Sequence, residues 1–261
     1  MMAGRERKSL GRQSGQAAVE SVIVLPLFVF LILGTLQLFL MHQARLITKY
    51  AAYKAVRAGS MNNGRKVPME RAALAVLLPI ISQASGSNEN IKTVNNASDF
   101  QTKWLWPGVV ANQMMDGAAR GIPYVEVMTC GPTKKDVSGT EVDFDDPQHA
   151  GSADWKESHR TKLRVQLTFN YRMPIPFANW VIHAAAFNRE IPVLMRMGDK
   201  PSNRNSRSFG PKTALYDAAG KKGTYILPIR AAYTMRMQSN VYVKELPGQN
   251  DCLTTNKDGK K

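Results

Sequence analysis

From Ser21 to Met41 the chain carries no charged residue, and Val22–Met41 (VIVLPLFVFLILGTLQLFLM) is interrupted only by Pro26, Gly34, Thr35 and Gln37. About twenty helical residues span roughly 30 Å, the thickness of a bilayer's hydrocarbon core. A helix buried in a soluble protein would need a polar stripe, and none is visible here, so the run reads as a membrane span. Pro26 falls one turn into the run, where a missing amide costs little; deeper in a helix it would bend the axis.

Past the apolar run the pattern changes. His42–Gly59 is rich in alanine, contains good helix formers and lacks proline, so the helix is expected to continue outward as a stem. Gly59 and then Asn62-Asn63-Gly64 should stop it. A second helix is expected from Pro68, with Met69, Ala72, Ala73, Val76, Leu77 and Ile80 along one face and Pro79 ending it. Ser82–Ser98 reads as a surface loop, and Pro107–Arg120 as a short helix closed by Gly121, behind the packing residues Trp104 and Trp106.

From Tyr124 onward strands dominate: Tyr124–Thr129, Thr161–Arg172, Ile191–Met197, Thr224–Met237 and Asn240–Glu245. In the clearest of them Leu163, Val165, Leu167, Phe169 and Tyr171 alternate with Arg164, Gln166, Thr168, Asn170 and Arg172. That two-residue period predicts one buried and one wet face, as in an antiparallel sheet against a helix. Helix first and sheet later is an α+β layout: a long N-terminal membrane helix and stem packed on a mostly antiparallel β-sheet. The expected divisions are a basic leader (1–15), the transmembrane helix with its stem (16–60) and an α+β domain (61–261).

Composition adds two constraints. An apolar fraction of 44% suffices for a core, and the formal net charge of +15 favours anionic partners. The basic loop 199–212, with Lys200, Arg204, Arg207 and Lys212, is the candidate contact for such a partner. Its sole aromatic residue is Phe209, so it offers no stacking platform for single-stranded nucleic acid. The two cysteines, Cys130 and Cys252, would be ordinary thiols in a reducing cytosol; in an oxidising periplasm they could pair and close a loop of about 120 residues.

Orientation is not decided by charge. Arg5, Arg7, Lys8 and Arg12 precede the apolar run while Arg45, Lys49, Lys54 and Arg57 follow it, a tie under the positive-inside rule. A cleaved secretory signal fits poorly, because the apolar run is too long and His42–Leu46 holds no small-x-small site.

Chemistry-bearing clusters are few. Glu141, Asp143, Asp145 and Asp146 form a dense carboxylate group, a weak calcium candidate without the glycine and terminal glutamate of an EF-hand. His149 and His159 stand ten residues apart, wider than the usual zinc spacings. His183, in an apolar segment, reads as a structural histidine. Phosphate loops, dinucleotide glycine patterns, nucleophile elbows and metalloprotease helices are missing from the sequence. The chain reads as a non-enzyme with no cofactor.

The orientation tie is broken just before the span. Gly15-Gln16-Ala17-Ala18-Val19-Glu20 joins a basic leader to the apolar run, and the order glycine, four residues, glutamate, apolar helix resembles the class III signal of type IV pilins and pseudopilins. More closely, GQAAVESVIVLPLFVFLILGTLQLF resembles the TadE-like family of tight-adherence (Tad) pilus assembly proteins through Gly15-Gln16, Val19-Glu20, Leu25-Pro26 and Gly34. Ser21 stands where these proteins often carry an aromatic residue, and Gln37 where relatives often place a glutamate.

The resemblance implies a pilin-like fold and cleavage after Gly15 by a prepilin peptidase, so that the mature chain starts at Gln16 with Glu20 as its fifth residue. It implies a cytoplasmic leader, a single pass of the bacterial inner membrane and a periplasmic domain. Other pilins or pseudopilins become the expected partners of the N-terminal helix, with Glu20 meeting the free amine of a neighbouring subunit and Pro26 in the assembly segment. Elementary chemistry agrees: Gly15 lets an extended backbone approach a protease, and a basic leader is drawn to an anionic leaflet. Two readings remain, a processed minor pseudopilin or assembly protein of a Tad-like pilus or related secretion system, and an uncleaved single-span envelope protein with a basic extracytoplasmic binding domain.

Overall fold

The computed structural model describes residues 14–85, 88–115, 117–137, 139–146, 160–187, 212–250 and 252. The expected strand Ile191–Met197, most of the basic loop 199–212 and the polar tail 256–261 lie outside these residues.

Membrane run and stem form one helix, α1 (Ser14–Met61). It does not stop at Gly59. The reversal comes at Asn63 (φ 56°) and Gly64 (φ 74°), and the Gly64 amide donates back to the Gly59 carbonyl at 2.8 Å, a left-handed helix cap. Gly59 lies inside the helix for a packing reason. A Cβ there would stand 2.6 Å from Met69 Sδ and 2.8 Å from Leu163 Cδ2, so only glycine lets α1 settle between the second helix and the sheet.

The alanines of the stem serve the same purpose. Ala44, Thr48, Ala51, Ala52, Ala55, Val56 and Ser60 are buried on one face of α1. At 3.6 residues per turn these small side chains align into a low ridge that brings the helix axis close to its neighbours.

Beneath α1 lies a three-stranded antiparallel sheet ordered β3–β5–β6, where β3 is Val125–Gly131, β5 is Lys162–Arg172 and β6 is Ile226–Arg236. β5 is central, with Val125 opposite Phe169 on one side and Ile229 opposite Phe169 on the other. α1 runs antiparallel to β5, since Gly59 approaches Leu163 at one end and Gln37 bonds Ile175 just beyond the other. The helix from Gln37 to Gly59 is roughly 33 Å long, close to the span of an eleven-residue strand. α2 (Lys66–Leu77) packs on α1 and β3, with Pro68 in its first turn and a 3-10 turn at Leu78–Ile80 containing Pro79.

Several expected elements differ in detail. The Ser82–Ser98 loop contains a small hairpin, β1 (Gln83–Ser85) with β2 (Asn88–Asn90), and the start of α3 (Ala97–Trp104). The helix expected over Pro107–Arg120 shrinks to α4 (Pro107–Val110). Asn112 (φ 49°) ends it, and its side chain bonds both the amide and the carbonyl of Val125, extending the edge of the sheet. The strand expected over Asn240–Glu245 pairs only at β7 (Val241–Tyr242), against β4 (Glu141–Val142), before turning into a 3-10 segment.

The wet face of β5 is the larger correction. Leu163, Val165, Leu167, Phe169 and Tyr171 are buried as the alternation predicts, yet Thr168, Asn170 and Arg172 are buried too. A further helix, α6 (Thr213–Lys221), lies on this side, and α5 (Ala178–Ala186) packs against it where His183 meets Gly220. Tyr216 of α6 donates to Asn170 Oδ1 at 2.9 Å, placing α6 over the polar face of the strand. Two-residue alternation cannot reveal a helix contributed from elsewhere in the chain, and nine-residue helices leave a faint periodic signal of their own.

Candidate functional site

The candidate site is the N-terminal part of α1 together with its junction to the folded body. Gly15 and Gln16 lie in the first turn of the helix, where backbone amides have no intrahelical acceptor and the turn opens most easily. Glu20 follows on an exposed position. Pro26 is not near the helix start as expected: with α1 beginning at Ser14 it lies about three turns inside, and its missing amide deprives the Val22 carbonyl of its usual donor. Such interior prolines are tolerated where neighbouring helices re-satisfy the freed group.

From Val19 to Ile32 the large apolar residues of α1 are between 37% and 72% exposed, and Leu36 is 50% exposed. The protein's own body therefore does not cover them. The helix has a mean hydropathy of 2.6 over its most apolar stretch, and it is one helix among the described residues long and apolar enough to cross a membrane. From Val19 to Leu36 it advances roughly 27 Å, close to one hydrocarbon core.

Gln37 is the first fully buried residue of α1, on the face turned to the body, while Leu38 (56%) and Phe39 (65%) beside it are still exposed. Its Oε1 accepts the Ile175 amide at 3.1 Å, while its Nε2 has no hydrogen-bond partner among the described residues. The same side chain faces Tyr171, whose hydroxyl is pushed up to about 12 by burial and partly relieved by Gln37. The amide in an otherwise apolar run is thus the first residue of α1 gripped by the body. Its spacing to Ala44, Thr48, Ala51 and Ala55 was the available sequence signal, because all share one helical face.

The opposite end of α1 is also clamped. The Ser60 carbonyl accepts the Gln238 amide at 3.0 Å and the Ser239 hydroxyl at 2.9 Å, while Asn63 Nδ2 donates to the Asn240 carbonyl at 2.7 Å. Held at both ends of the stem, the helix and the sheet form one packed unit.

Other sequence candidates are scattered through the fold. Cys130, in β3, is bonded to Cys252, with S–S 1.90 Å and Cα–Cα 5.1 Å. Glu141 accepts from Asn240 Nδ2, and Asp143 Oδ1 accepts the Asp145 amide at 3.0 Å, a local turn. Among the described residues no three His, Cys, Asp or Glu side chains come together as a metal ion would require. Lys212 is ion-paired with Glu126 at 2.9 Å; Lys200, Arg204 and Arg207 lie outside the described residues, as do His149 and His159. His183 is buried, stacked on Phe187 with ring centroids 4.4 Å apart, and packed against Gly220, where a Cβ would meet its ring at 2.6 Å.

One buried charge went unnoticed in the sequence. Lys103 is fully buried beneath Trp106, and its Nζ donates to the carbonyls of Lys92 at 2.8 Å and Pro79 at 3.2 Å. Burial, reinforced by Lys92, brings its pKa down to about 8.

A family model described as TadE-like protein matches residues 15–57. The match takes in the Gly15–Glu20 motif, the apolar segment, Gln37 and most of the stem, so the resemblance read from those residues holds over that stretch; it does not extend to the sheet. No curated protein and no solved structure matches the chain.

Proposed function

We propose that this chain is a membrane-anchored minor pseudopilin or assembly protein of a Tad-like pilus or a related secretion system, released from its leader by cleavage after Gly15. The observation that carries the reading is the placement of the Gly15–Glu20 motif immediately before some 27 Å of exposed apolar helix, inside the stretch that matches the TadE-like model.

The role is structural rather than catalytic. Cleavage would free an amine on Gln16, one helical turn from the Glu20 carboxylate. A carboxylate at the rim of the hydrocarbon is costly unless paired, and the amine of a neighbouring subunit is a partner of the right charge. The scissile bond sits in the first turn of α1, where unwinding into a protease disrupts the fewest hydrogen bonds. The leader would remain in the cytoplasm and the sheet-bearing body would stand in the periplasm, a compartment in which the Cys130–Cys252 bond persists.

Mass spectrometry of the N-terminus tests the reading in a cell with an active prepilin peptidase. The expected mature chain starts at Gln16, and Gly15→Leu keeps the leader. A wild-type chain that retains its leader would instead favour an uncleaved single-span envelope protein.

A further inference from the structure

We propose that the edge of the body formed by Pro174–Trp180 is a second membrane contact, seating the body on the lipid interface beside the point where α1 emerges. The proposal rests on the reading of α1 as a membrane span.

Depth comes first. Gln37 lies in the last turn of the exposed apolar stretch of α1, which runs on through Leu38 and Phe39, and its side chain holds the Ile175 amide. Ile175 therefore lies at the level where the helix leaves the hydrocarbon, within a headgroup layer roughly 5–8 Å thick on each side of the core. Two residues further on, Phe177 is 68% exposed, and Trp180 is half-buried at the start of α5, which packs against α1. Aromatic side chains, tryptophan above all, favour this layer.

Charge agrees with depth. From Met173 to Phe187 (MPIPFANWVIHAAAF) there is no Asp, Glu, Lys or Arg, in a chain of which 21% is charged. Met173, Ala178, His183, Ala184 and Phe187 are buried in the body, and what the segment leaves exposed, Pro176, Phe177 and Ala185, is apolar, as a surface resting on lipid would be.

The backbone adds a third observation. Phe177 has φ 62° and ψ −54°, and the Ala178 amide donates to the Pro176 carbonyl at 2.7 Å across it. This is a γ-turn of the rare, strained hand, easy for glycine and costly for a side chain with a Cβ. A bulky apolar residue held there in the open gains no burial within the body. Against lipid the same conformation thrusts an aromatic ring outward into an apolar layer.

The test uses the full chain in phosphatidylethanolamine/phosphatidylglycerol vesicles, with photoreactive p-benzoylphenylalanine placed singly at Val29, Phe177 or Tyr242. Val29 reports the span, and Tyr242 is an exposed aromatic by the Ser60–Asn240 clamp, at the far end of the stem from Gln37. After irradiation, lipid adducts are expected at positions 29 and 177 and not at 242. Adducts at 29 alone would overturn the second contact and leave the span intact. Their absence at all three would overturn both. Adducts at all three, or crosslinks from 177 to a second copy in place of lipid, would also overturn the proposal.

Discussion

Gln37 and Ile175, distant in sequence, are joined by one hydrogen bond of 3.1 Å from the Ile175 amide to the Gln37 side chain. That bond marks the boundary between two environments. N-terminal to it α1 is an exposed apolar rod; from Gln37 on, after the still exposed Leu38 and Phe39, the same helix becomes the spine of a folded body. An acceptor buried there satisfies an amide that would otherwise be orphaned beside apolar surface.

Gln37→Leu keeps the volume and removes the acceptor. The Ile175 amide would then be buried without a partner, at a cost of about 1–3 kcal/mol. Urea unfolding in detergent should show the loss, and hydrogen exchange at Ile175 should accelerate. Stability equal to wild type would mean that Gln37 contributes nothing to the junction.

Gly59→Val tests the close approach of α1. Its Cβ would overlap Met69 and Leu163 in a packed core, and overpacking of this kind costs typically about 1–3 kcal/mol, of which valine's better helix propensity than glycine's offsets only a few tenths. A lowered melting temperature with helix content retained by circular dichroism is the expected outcome.

Lys103 makes stability depend on pH in a definite direction. Its folded pKa, about 8, lies below the usual 10.5. Below pH 8 both states hold the proton and the full cost of burying the ammonium is present. Between 8 and 10.5 the unfolded chain binds more protons, so stability rises with pH, by an amount on the order of 3 kcal/mol at most. Tyr171 and Tyr216 act oppositely. Burial holds their hydroxyls up to about 12, so above pH 10 the unfolded chain loses protons that the folded chain keeps, and stability falls. A maximum near pH 10 is expected, with its alkaline rise missing in Lys103→Met. A pH-independent difference between the two proteins from pH 8 to 10 would contradict the assignment.

The Cys130–Cys252 bond spans a separation of 122 residues and ties the end of the chain to β3. Removing a native disulfide of this kind typically costs about 2–5 kcal/mol. The paired change Cys130→Ser with Cys252→Ser should lower the urea midpoint accordingly, and free-thiol titration of the unfolded wild-type protein should find none before reduction.

Much of this architecture is legible in linear patterns. The apolar run, the alternation in Lys162–Arg172 and the turn residues Asn62–Gly64 each reflect a local constraint, so each can be read locally. The boundary of α1 was misplaced because glycine has two uses: at Gly59 a missing side chain allows contact rather than ending a helix. Likewise the alanines of the stem read as helix formers, although their smallness also serves packing against a sheet. The Gly15–Glu20 motif was visible because it is a short linear segment, and the TadE-like match covers that same stretch.

The sequence by itself determined that a greasy helix opens the chain, that a Gly-x4-Glu motif precedes it and that an antiparallel sheet follows, since hydrophobic period and run length are properties of neighbouring residues. Tertiary structure alone decided that Gln37 grips Ile175, that Lys103 lies buried under Trp106, that α6 covers the polar face of β5 and that Phe177 stands exposed two residues from Ile175. These depend on which distant segments meet, and the free energy of such meetings is set by shape and burial rather than by order along the chain.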